Sequence, residues 1–402
     1  MNQQVIDSDR GSFELSRGPS KVLPGILGRK LERLWQPQQR PRVNFLYVSL
    51  VIFIAIVVLV GLETYSFLQS SQSNVPGAFG MWEQALGQLV FPALPQEPAL
   101  IVTPDTPAGD SPNSFIVQRG NTYYMYASQG NVAQPNIQLR TSTNLINWSN
   151  PIDALPTLPP WAKCCFTWSP DVHYIQGRYV MWYSSLVKNL TNPSAADNGI
   201  ECIGWASSPS PQGPFSPAMT PFPQICQTSR FGSIDPHVFV DPSGALYLIW
   251  KSDDNADVNS NTHSIIWVQS LAPNGTTLLG SPHQLITADR PWEGRIVEDG
   301  QLVFAQHAYW LFYSSSWYNQ PDYSISLAKC LGPLGPCDKL GVWLNSNDQG
   351  TGTGESAIFQ SSSDQYWITY SPWAARGSSY TPRPVAIARL GFLPSGPYLG
   401  AP

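Results

Sequence analysis

Short aromatic segments recur along the last three quarters of the chain, and each is followed by Ser within a few residues. The five copies are Tyr123–Tyr126, Tyr179–Trp182, Tyr247–Trp250, Tyr309–Phe312 and Tyr366–Thr369. Successive copies begin 56, 68, 62 and 57 residues apart. A recurring segment with a period of about sixty residues is typical of a repeat architecture, in which each copy marks one structural unit.

The residues between the aromatic segments form short alternating or aromatic runs that are interrupted by Gly, Pro, Asn, Asp and Ser. This pattern indicates β-strands, and no stretch shows a sustained helical period. A repeat of about sixty residues holds about four strands, which is one blade of a propeller. The sequence therefore predicts an all-β fold, a five-bladed β-propeller over residues 99–402. A jelly roll or sandwich would not produce five similar segments.

The N-terminal quarter has a different character. Residues 43–62 contain no charged residue and match the length of a bilayer core, so we expect a transmembrane signal-anchor helix there. The basic residues that precede it, and the absence of another before Arg119, place residues 1–42 in the cytosol as a basic tail. Residues 63–98 are expected to form a stem. The prediction is a single-pass type II membrane protein, with the propeller extracellular or in the secretory lumen.

Charge and cysteine content narrow the possible functions. Residues 1–42 carry +4, whereas the remainder carries −9, from fourteen basic and twenty-three acidic residues. An acidic, aromatic-rich domain argues against nucleic acid as a partner. Three acceptor triplets for N-glycosylation begin at Asn147, Asn189 and Asn274, as suits a glycoprotein in the secretory lumen.

All six cysteines follow the apolar segment, as suits an oxidising compartment. We expect Cys202 to pair with Cys226 and Cys330 with Cys337, because each pair brackets a short loop containing Pro or Gly. The adjacent Cys164 and Cys165 could bridge each other, stay free or pair elsewhere. No Cys-x-x-Cys pair or Cys/His cluster indicates a metal site, and no cofactor is expected.

Carboxylates precede several aromatic segments at similar offsets. Asp235 lies twelve residues before Tyr247, Glu298 eleven before Tyr309, and Asp171 eight before Tyr179. Equal offsets mean similar places in successive blades, and loops from different blades converge at one end of a propeller. Glycoside hydrolysis needs two carboxyl groups beside the scissile bond, so these residues are candidates for that chemistry.

The motifs around these carboxylates occur in an informative order. Trp168-Ser-Pro-Asp-Val172 comes first, then Ile234-Asp-Pro236 with Phe239-Val-Asp, and then Trp292-Glu-Gly294 with Val297-Glu298. This order resembles glycoside hydrolase family 43 over roughly residues 105–373. The resemblance implies a five-bladed propeller and an inverting arabinanase, arabinofuranosidase or xylosidase. It also implies that Glu298 is the general acid and that Asp235 orients it and tunes its pKa, with Glu293 as a competing acid.

The first blade departs from the family pattern. The resemblance implies an Asp general base there, but its position is occupied by Asn113, with Ser114 where Pro is usual. An amide does not accept a proton from water at neutral pH, so hydrolysis would be impaired. Asp110, three residues upstream, is the alternative base. Two smaller departures are Asp299-Gly300, where Gly-Pro or Ala-Pro is usual, and a last blade without the His that many members place on the central axis.

Two hypotheses follow. The first is a glycosidase acting on arabinofuranosyl or xylosyl glycans, and the second is a catalytically impaired propeller that binds glycans or acts as a scaffold. Trp168, Trp292 and Trp317 lie near the acidic motifs and are candidates for stacking on a sugar. Asp171 is either a site residue or an anchor of its blade, and His237 is expected to line the pocket.

Overall fold

The computed structural model describes residues 100–102, 110–130, 132–195, 199–257, 259, 261–345, 352–372 and 383–400. The segments predicted as tail, membrane helix and stem (1–42, 43–62 and 63–98) all lie outside these residues. Within the described part of the chain, no helix combines the length and the apolar character needed to cross a bilayer.

The described residues form five antiparallel sheets, and in four of them all the strands follow one another in the chain. Blade 1 consists of β2 (Phe115–Arg119), β3 (Thr122–Ala127), β4 (Gln138–Ser142) and β5 (Ile152–Asp153). Blade 2 consists of β6 (Ala162–Ile175), β7 (Arg178–Val187), β8 (Glu201–Ser208) and β9 (Ser216–Pro217). Blade 3 consists of β10 (Ser233–Val240), β11 (Leu246–Ser252), β12 (Ile265–Leu271) and β13 (Leu278–Thr287).

Blade 4 consists of β14 (Val297–Ala305), β15 (Ala308–Ser315), β16 (Ser324–Cys330) and β17 (Cys337–Leu344). Blade 5 consists of β18 (Thr353–Gln360), β19 (Tyr366–Pro372), β20 (Val385–Leu393) and two short strands that both pair with β20, namely β1 (Leu100–Val102) and β21 (Gly396–Leu399). Three short 3-10 helices connect strands at Thr228–Arg230, Asp254–Ala256 and Pro291–Glu293.

The first strands of the blades contact one another in a closed ring, in the order β2, β6, β10, β14, β18 and back to β2. These strands therefore surround a central axis, and the predicted five-bladed propeller is confirmed. Strand β1, from the N-terminal side, pairs with β20 near the C-terminus, with Leu100 opposite Ile387. Both ends of the propeller domain thus meet in blade 5.

The aromatic segments form the second strand of every blade. Side chains of a strand alternate between its two faces, so Met181 and Tyr183 of β7 pack towards blade 1 whereas Val180 and Trp182 pack towards blade 3. Buried clusters of this kind fill the space between each pair of neighbouring blades, including blades 5 and 1. Because these strands are buried on both faces, they are almost continuously apolar.

One residue near the start of the first strand of each blade has a left-handed backbone. These five residues, here called the axial residues, are Asn113, Ser169, Asp235, Asp299 and Glu355, with φ between 48° and 56°. In blades 2 to 5 the pairing register shifts at this point, which marks a β-bulge. A bulge redirects side chains, and here it occurs at the same place in successive blades.

In three blades, the Ser that follows the aromatic segment supports the axial residue of the next blade. Ser128 accepts a hydrogen bond from the backbone N–H of Ser169 at 2.8 Å, and Ser314 accepts one from that of Glu355 at 2.9 Å. Ser184 accepts from the N–H of Asp235 at 3.2 Å. The buried hydroxyls thus satisfy backbone donors that the bulges leave without strand partners.

Three disulfides are present. Cys202–Cys226 and Cys330–Cys337 are bonded, so both predicted pairs are confirmed. For the remaining two cysteines the sequence left three alternatives open, and the structure shows a bond between the adjacent Cys164 and Cys165.

Candidate active site

Four of the axial residues line a small cavity on the axis, together with side chains from the next layer of the inner strands. The amide of Asn113 is held from two sides. Its Oδ1 accepts a hydrogen bond from the Ser128 hydroxyl at 3.1 Å, and its side chain also bonds the carboxyl group of Asp299. The backbone N–H of Asn113 donates to Glu355 Oε2 at 3.3 Å. Blades 1, 4 and 5 therefore meet at Asn113.

Glu298, the predicted general acid, lies one residue before the axial residue of blade 4. Its Oε2 accepts from Lys251 Nζ at 2.9 Å, and its Oε1 accepts from the Tyr323 hydroxyl at 2.8 Å. The side chain remains 13% exposed. Two partners thus fix the orientation of the carboxyl group, in a side chain that still reaches solvent.

Lys251 is the counter-ion of this region, and it was missed by the sequence analysis. Its side chain is buried and also bonds Asp253 Oδ1 at 3.1 Å. Burial alone would lower the pKa of Lys251, but the negative charges of Glu298, Asp253 and Asp235 raise it above its ordinary value. Lys251 directly follows an aromatic segment, so the signal was its position, but nothing in the local sequence shows where its long side chain reaches.

Asp235, the predicted tuning residue, is buried beside this group. Ser169 donates to its Oδ1 at 2.7 Å, and the backbone N–H of Asp299 donates to its Oδ2 at 3.3 Å. Burial, with the nearby charge of Glu298, raises the pKa of Asp235 to about 7, although Lys251 and Ser169 oppose the rise. Asp235 is therefore partly protonated near neutral pH, which limits the negative charge beside Glu298.

Asp110, the alternative base, is engaged in an ion pair. Its Oδ1 accepts from the backbone N–H of Arg383 at 2.9 Å and from Arg383 Nε at 3.1 Å. The same guanidinium donates from Nη1 to Glu355 Oε1 at 2.6 Å. Burial raises the pKa of Glu355 even though Arg383 opposes the rise. Arg383 and Glu355 are further members of this region that the sequence analysis did not select.

Asp299 replaces the small residue that the family pattern places after the general acid. Burial and the charges of Asp235, Glu355 and Glu298 raise its pKa well above the ordinary value. Its Oδ2 is buried and has no hydrogen-bond partner among the described residues. The offset from Asp299 to Tyr309 is ten residues, the same as from Asn113 to Tyr123, so the spacing of the repeats contained the signal.

Asp171 lies below the axial residues and binds two imidazole rings. Its Oδ1 lies 2.6 Å from His237 Nδ1 and its Oδ2 lies 3.0 Å from His173 Nε2, while the N–H of Val238 donates to Oδ2 at 2.9 Å. Burial would raise the pKa of Asp171, but the two imidazoles hold it well below its ordinary value. His237 lines the axial cavity.

These three residues are the group within the described part of the chain whose ligand atoms lie close enough to hold a metal ion, within 4.8 Å of one another. Both carboxylate oxygens already face ring nitrogens. The contacts that the cluster makes are those of a hydrogen-bonded link between blades 2 and 3.

Glu293, the competing acid, is fully buried and bonded on both oxygens. Its Oε1 accepts from the Tyr313 hydroxyl at 2.9 Å, and its Oε2 accepts from Lys339 Nζ at 2.7 Å and from two backbone N–H groups at the start of a 3-10 helix. These contacts anchor the loop before β14. Glu298 differs because part of its carboxyl group remains accessible.

The three candidate stacking residues are all partly exposed. Trp168 packs edge-on against Phe166, with ring centroids 6.2 Å apart, and directly precedes the axial Ser169. The guanidinium carbon of Arg295 lies 5.9 Å from the ring centroid of Trp317. Trp292 lies in the helix anchored by Glu293. Trp168 is thus the neighbour of an axial residue in the chain. Trp292 lies in the 3-10 helix before β14, and Trp317 lies in the loop between β15 and β16.

Comparisons with known proteins agree with this architecture. Residues 106–397 match the family model described as glycosyl hydrolases family 43. A curated relative, xylosidase/arabinosidase 43A from Humicola insolens, is 37% identical over 89 residues, which is 22% of this chain and 22% of that protein.

Solved structures of similar fold include several glycosidases. A thermostable family-43 glycoside hydrolase matches with a TM-score of 0.62 and 26% identity, over 73% of this chain and 93% of that one. An endo-arabinase from Bacteroides thetaiotaomicron matches with a TM-score of 0.58 and 20% identity, over 74% of this chain and 99% of that one. Because the family model covers most of the chain and the propeller is present, the chain belongs to glycoside hydrolase family 43.

Proposed function

We propose that the propeller hydrolyses O-glycosidic bonds of arabinofuranosyl or xylosyl glycans with inversion of the anomeric centre. The observation that supports this most directly is the position of Glu298, whose carboxyl group is held by Lys251 and Tyr323 beside the buried Asp235. Glycoside hydrolysis requires a carboxyl group that donates a proton to the departing oxygen, and a second acidic group nearby can favour its protonated form.

In this proposal Glu298 donates its proton to the departing glycosidic oxygen. Tyr323 and Lys251 fix the direction of the carboxyl group. Asp235 raises the proton affinity of the pair, because two neighbouring carboxylates do not both ionise readily. As Glu298 loses its proton, Lys251 stabilises the new negative charge, so the same ion pair favours the product side of the transfer.

The substrate class rests on the relatives. The curated relative is named a xylosidase/arabinosidase, and the structural neighbours include an endo-arabinase. The partly exposed Trp168 beside the axial layer offers a surface on which a sugar ring can stack. Arabinose- and xylose-containing glycans are therefore the first substrates to assay.

The test is turnover of nitrophenyl arabinofuranosides and xylosides by the full chain and by Glu298→Gln. We expect Glu298→Gln to lower kcat by about 100- to 10,000-fold. A substrate with a very good leaving group, such as dinitrophenolate, should restore much of the rate, because its departure needs no proton. Full activity of Glu298→Gln on the poor leaving group would contradict the assignment of the acid. Glu293→Gln is the matched control and should keep kcat.

A second candidate is a propeller that binds glycans without hydrolysing them. The specific observation in its favour is Asn113, whose amide occupies the expected base position and is already bonded to Ser128 and Asp299. If the wild-type chain binds arabino- or xylo-oligosaccharides in calorimetry but turns over none of the aryl glycosides, this second function replaces the first.

We also propose that residues 43–62 anchor the protein as a type II membrane protein. The support is the uncharged segment, the basic residues before it and the disulfides of the propeller. Carbonate extraction of the full chain tests the anchor. Release of the protein into the soluble fraction would contradict it.

A further inference from the structure

The proposed hydrolysis needs a carboxylate that can take a proton from water, and the position expected to supply it holds an amide. Asn113 has no proton-accepting group of suitable basicity, and its amide is bonded from two sides. If the chain is a hydrolase, another carboxylate on the axis must activate the water. Such a carboxylate needs an oxygen that is free to accept a hydrogen bond.

Three carboxyl groups other than those of Glu298 and Asp235 lie near Asn113, and two are held by partners. Glu355 accepts from Arg383 on Oε1 and from the N–H of Asn113 on Oε2. Asp110 accepts two hydrogen bonds from Arg383 on Oδ1. Arg383 thus occupies one oxygen of each of these two groups.

Asp299 has a different set of contacts. Its side chain bonds the amide of Asn113, and its Oδ2 lacks any hydrogen-bond partner in the described part of the chain. Both residues line the axial cavity, which is large enough for a water molecule. A buried carboxylate oxygen without a partner is uncommon and requires a reason, such as a bound water.

The repeat geometry explains how a carboxylate from blade 4 can take the place of the one missing from blade 1. Asn113 and Asp299 occupy equivalent left-handed positions, each ten residues before the aromatic segment of its own blade. Side chains at equivalent positions of successive blades point towards the same central axis. Relative to the family pattern, the carboxylate is missing in blade 1 and an extra one is present in blade 4, and the two side chains are in contact.

We propose that Asp299 is the general base of this enzyme and that Asn113 positions it. The proposal rests on the hydrolase function proposed above. Glu298 and Asp299 are neighbours in the chain but have separate partners, since Glu298 reaches Lys251 and Tyr323 whereas Asp299 reaches Asn113. The bulge at Asp299 redirects its side chain relative to that of Glu298, so one strand supplies both the acid and the base.

The reaction balances without any further reagent. A water oxygen attacks the anomeric carbon while one water proton moves to Asp299 Oδ2. The bond from the anomeric carbon to the glycosidic oxygen breaks, and that oxygen takes the proton of Glu298. The products are the free sugar with inverted configuration and the alcohol, leaving Glu298 ionised and Asp299 protonated. Proton exchange with solvent restores both groups.

The charge environment agrees with this role. Burial and the neighbouring carboxylates raise the pKa of Asp299, which increases its proton affinity as a base. The base is ionised only above that pKa. The acidic limb of the profile of kcat/KM against pH should therefore depend on Asp299.

The test uses the full chain and the nitrophenyl glycoside that the wild type turns over best. We expect Asp299→Gly to lower kcat by about 100- to 10,000-fold. Sodium azide should then restore turnover and give a glycosyl azide, because azide attacks the anomeric carbon without losing a proton. Azide rescue also shows that the variant is folded. Asp338→Asn, an exposed change on β17, is the matched control and should behave as wild type.

The second variant restores the family arrangement. Asn113→Asp combined with Asp299→Gly should recover at least a tenth of wild-type kcat, whereas Asp299→Gly alone should not. A dinitrophenyl leaving group should rescue Glu298→Gln but leave Asp299→Gly slow, which separates base from acid. Undiminished turnover by Asp299→Gly, or loss of activity without azide rescue, would overturn the assignment and leave the hydrolase function intact. A wild-type chain that turns over no glycoside overturns both.

Discussion

Asp235→Asn tests the electrostatics of the axis through stability alone, with no substrate needed. Asn has nearly the shape of Asp but does not ionise. The Ser169 hydroxyl donates to Asp235 Oδ1 at 2.7 Å, and the Asn oxygen can accept that bond. The backbone N–H of Asp299 faces Oδ2 at 3.3 Å, and there the Asn amino group would meet another donor. This mismatch should cost about 1–3 kcal/mol at every pH.

The pH-dependent part of the stability difference favours the variant. Burial raises the pKa of Asp235 from 3.8 to about 7, so between these values the folded state binds the proton that the unfolded state has lost. Stability therefore falls as the pH rises through this window, by about 1.4 kcal/mol per pH unit and about 4 kcal/mol in full. The variant has no such loss. We expect Asp235→Asn to be less stable than wild type at pH 4 by about 1–3 kcal/mol and more stable at pH 8 by a similar amount.

Urea unfolding, followed by tryptophan fluorescence at pH values from 4 to 8, shows whether the order of stability of the two proteins reverses. The free energy of unfolding is compared between the full chain, Asp235→Asn and the control Asp338→Asn, whose side chain is exposed on the outer strand β17. The control curve should run parallel to that of wild type. A difference between Asp235→Asn and wild type that is the same at pH 4 and pH 8 would refute the raised pKa of Asp235, on which its proposed tuning role depends.

Three further changes probe the surroundings. Lys251→Met should lower the free energy of unfolding by about 3–5 kcal/mol, and more at pH 8 than at pH 5, because it leaves Glu298 without its buried counter-ion; urea unfolding at both pH values measures this. Glu293→Gln should cost about 3 kcal/mol of stability yet leave kcat per folded molecule within twofold, since its bonds anchor a loop; a large loss of kcat would instead revive it as the acid. Ser184→Ala should cost about 1–3 kcal/mol, measured in the same way, because the N–H of Asp235 loses its acceptor; a change under 0.5 kcal/mol would contradict this.

The propeller was predictable because its strongest signal is local. The second strand of each blade is buried on both faces, so it must be apolar along its whole length, as in Tyr179–Trp182, and that requirement recurs with every blade. The closure of blade 5 was not predictable. Strand β1 was expected to open the domain, but its partner β20 lies more than 280 residues later, and three residues contain no information about which strand edge they will join.

The candidate site also contains residues that the sequence predicts and residues that it does not. Asp235 and Glu298 stand in motifs whose spacing fixes their place in a blade, whereas Lys251 and Arg383 act through long side chains that reach other blades. The direction of such a side chain depends on which acidic groups surround it after folding. Spacing along the chain therefore gives the position of a backbone atom but not the partner of a flexible cation.

The five-fold arrangement changes how the loss of one carboxylate should be judged. In a protein whose site is built on one loop, an amide at the base position removes the base, because no other side chain reaches the same point. Here five equivalent positions converge on one axis, and three of them hold acids, namely Asp235, Asp299 and Glu355. Two of these have partners on both oxygens, whereas Asp299 bonds Asn113 and keeps one oxygen without a partner among the described residues. A substitution in blade 1 can thus be compensated from blade 4, so activity has to be tested on both residues together.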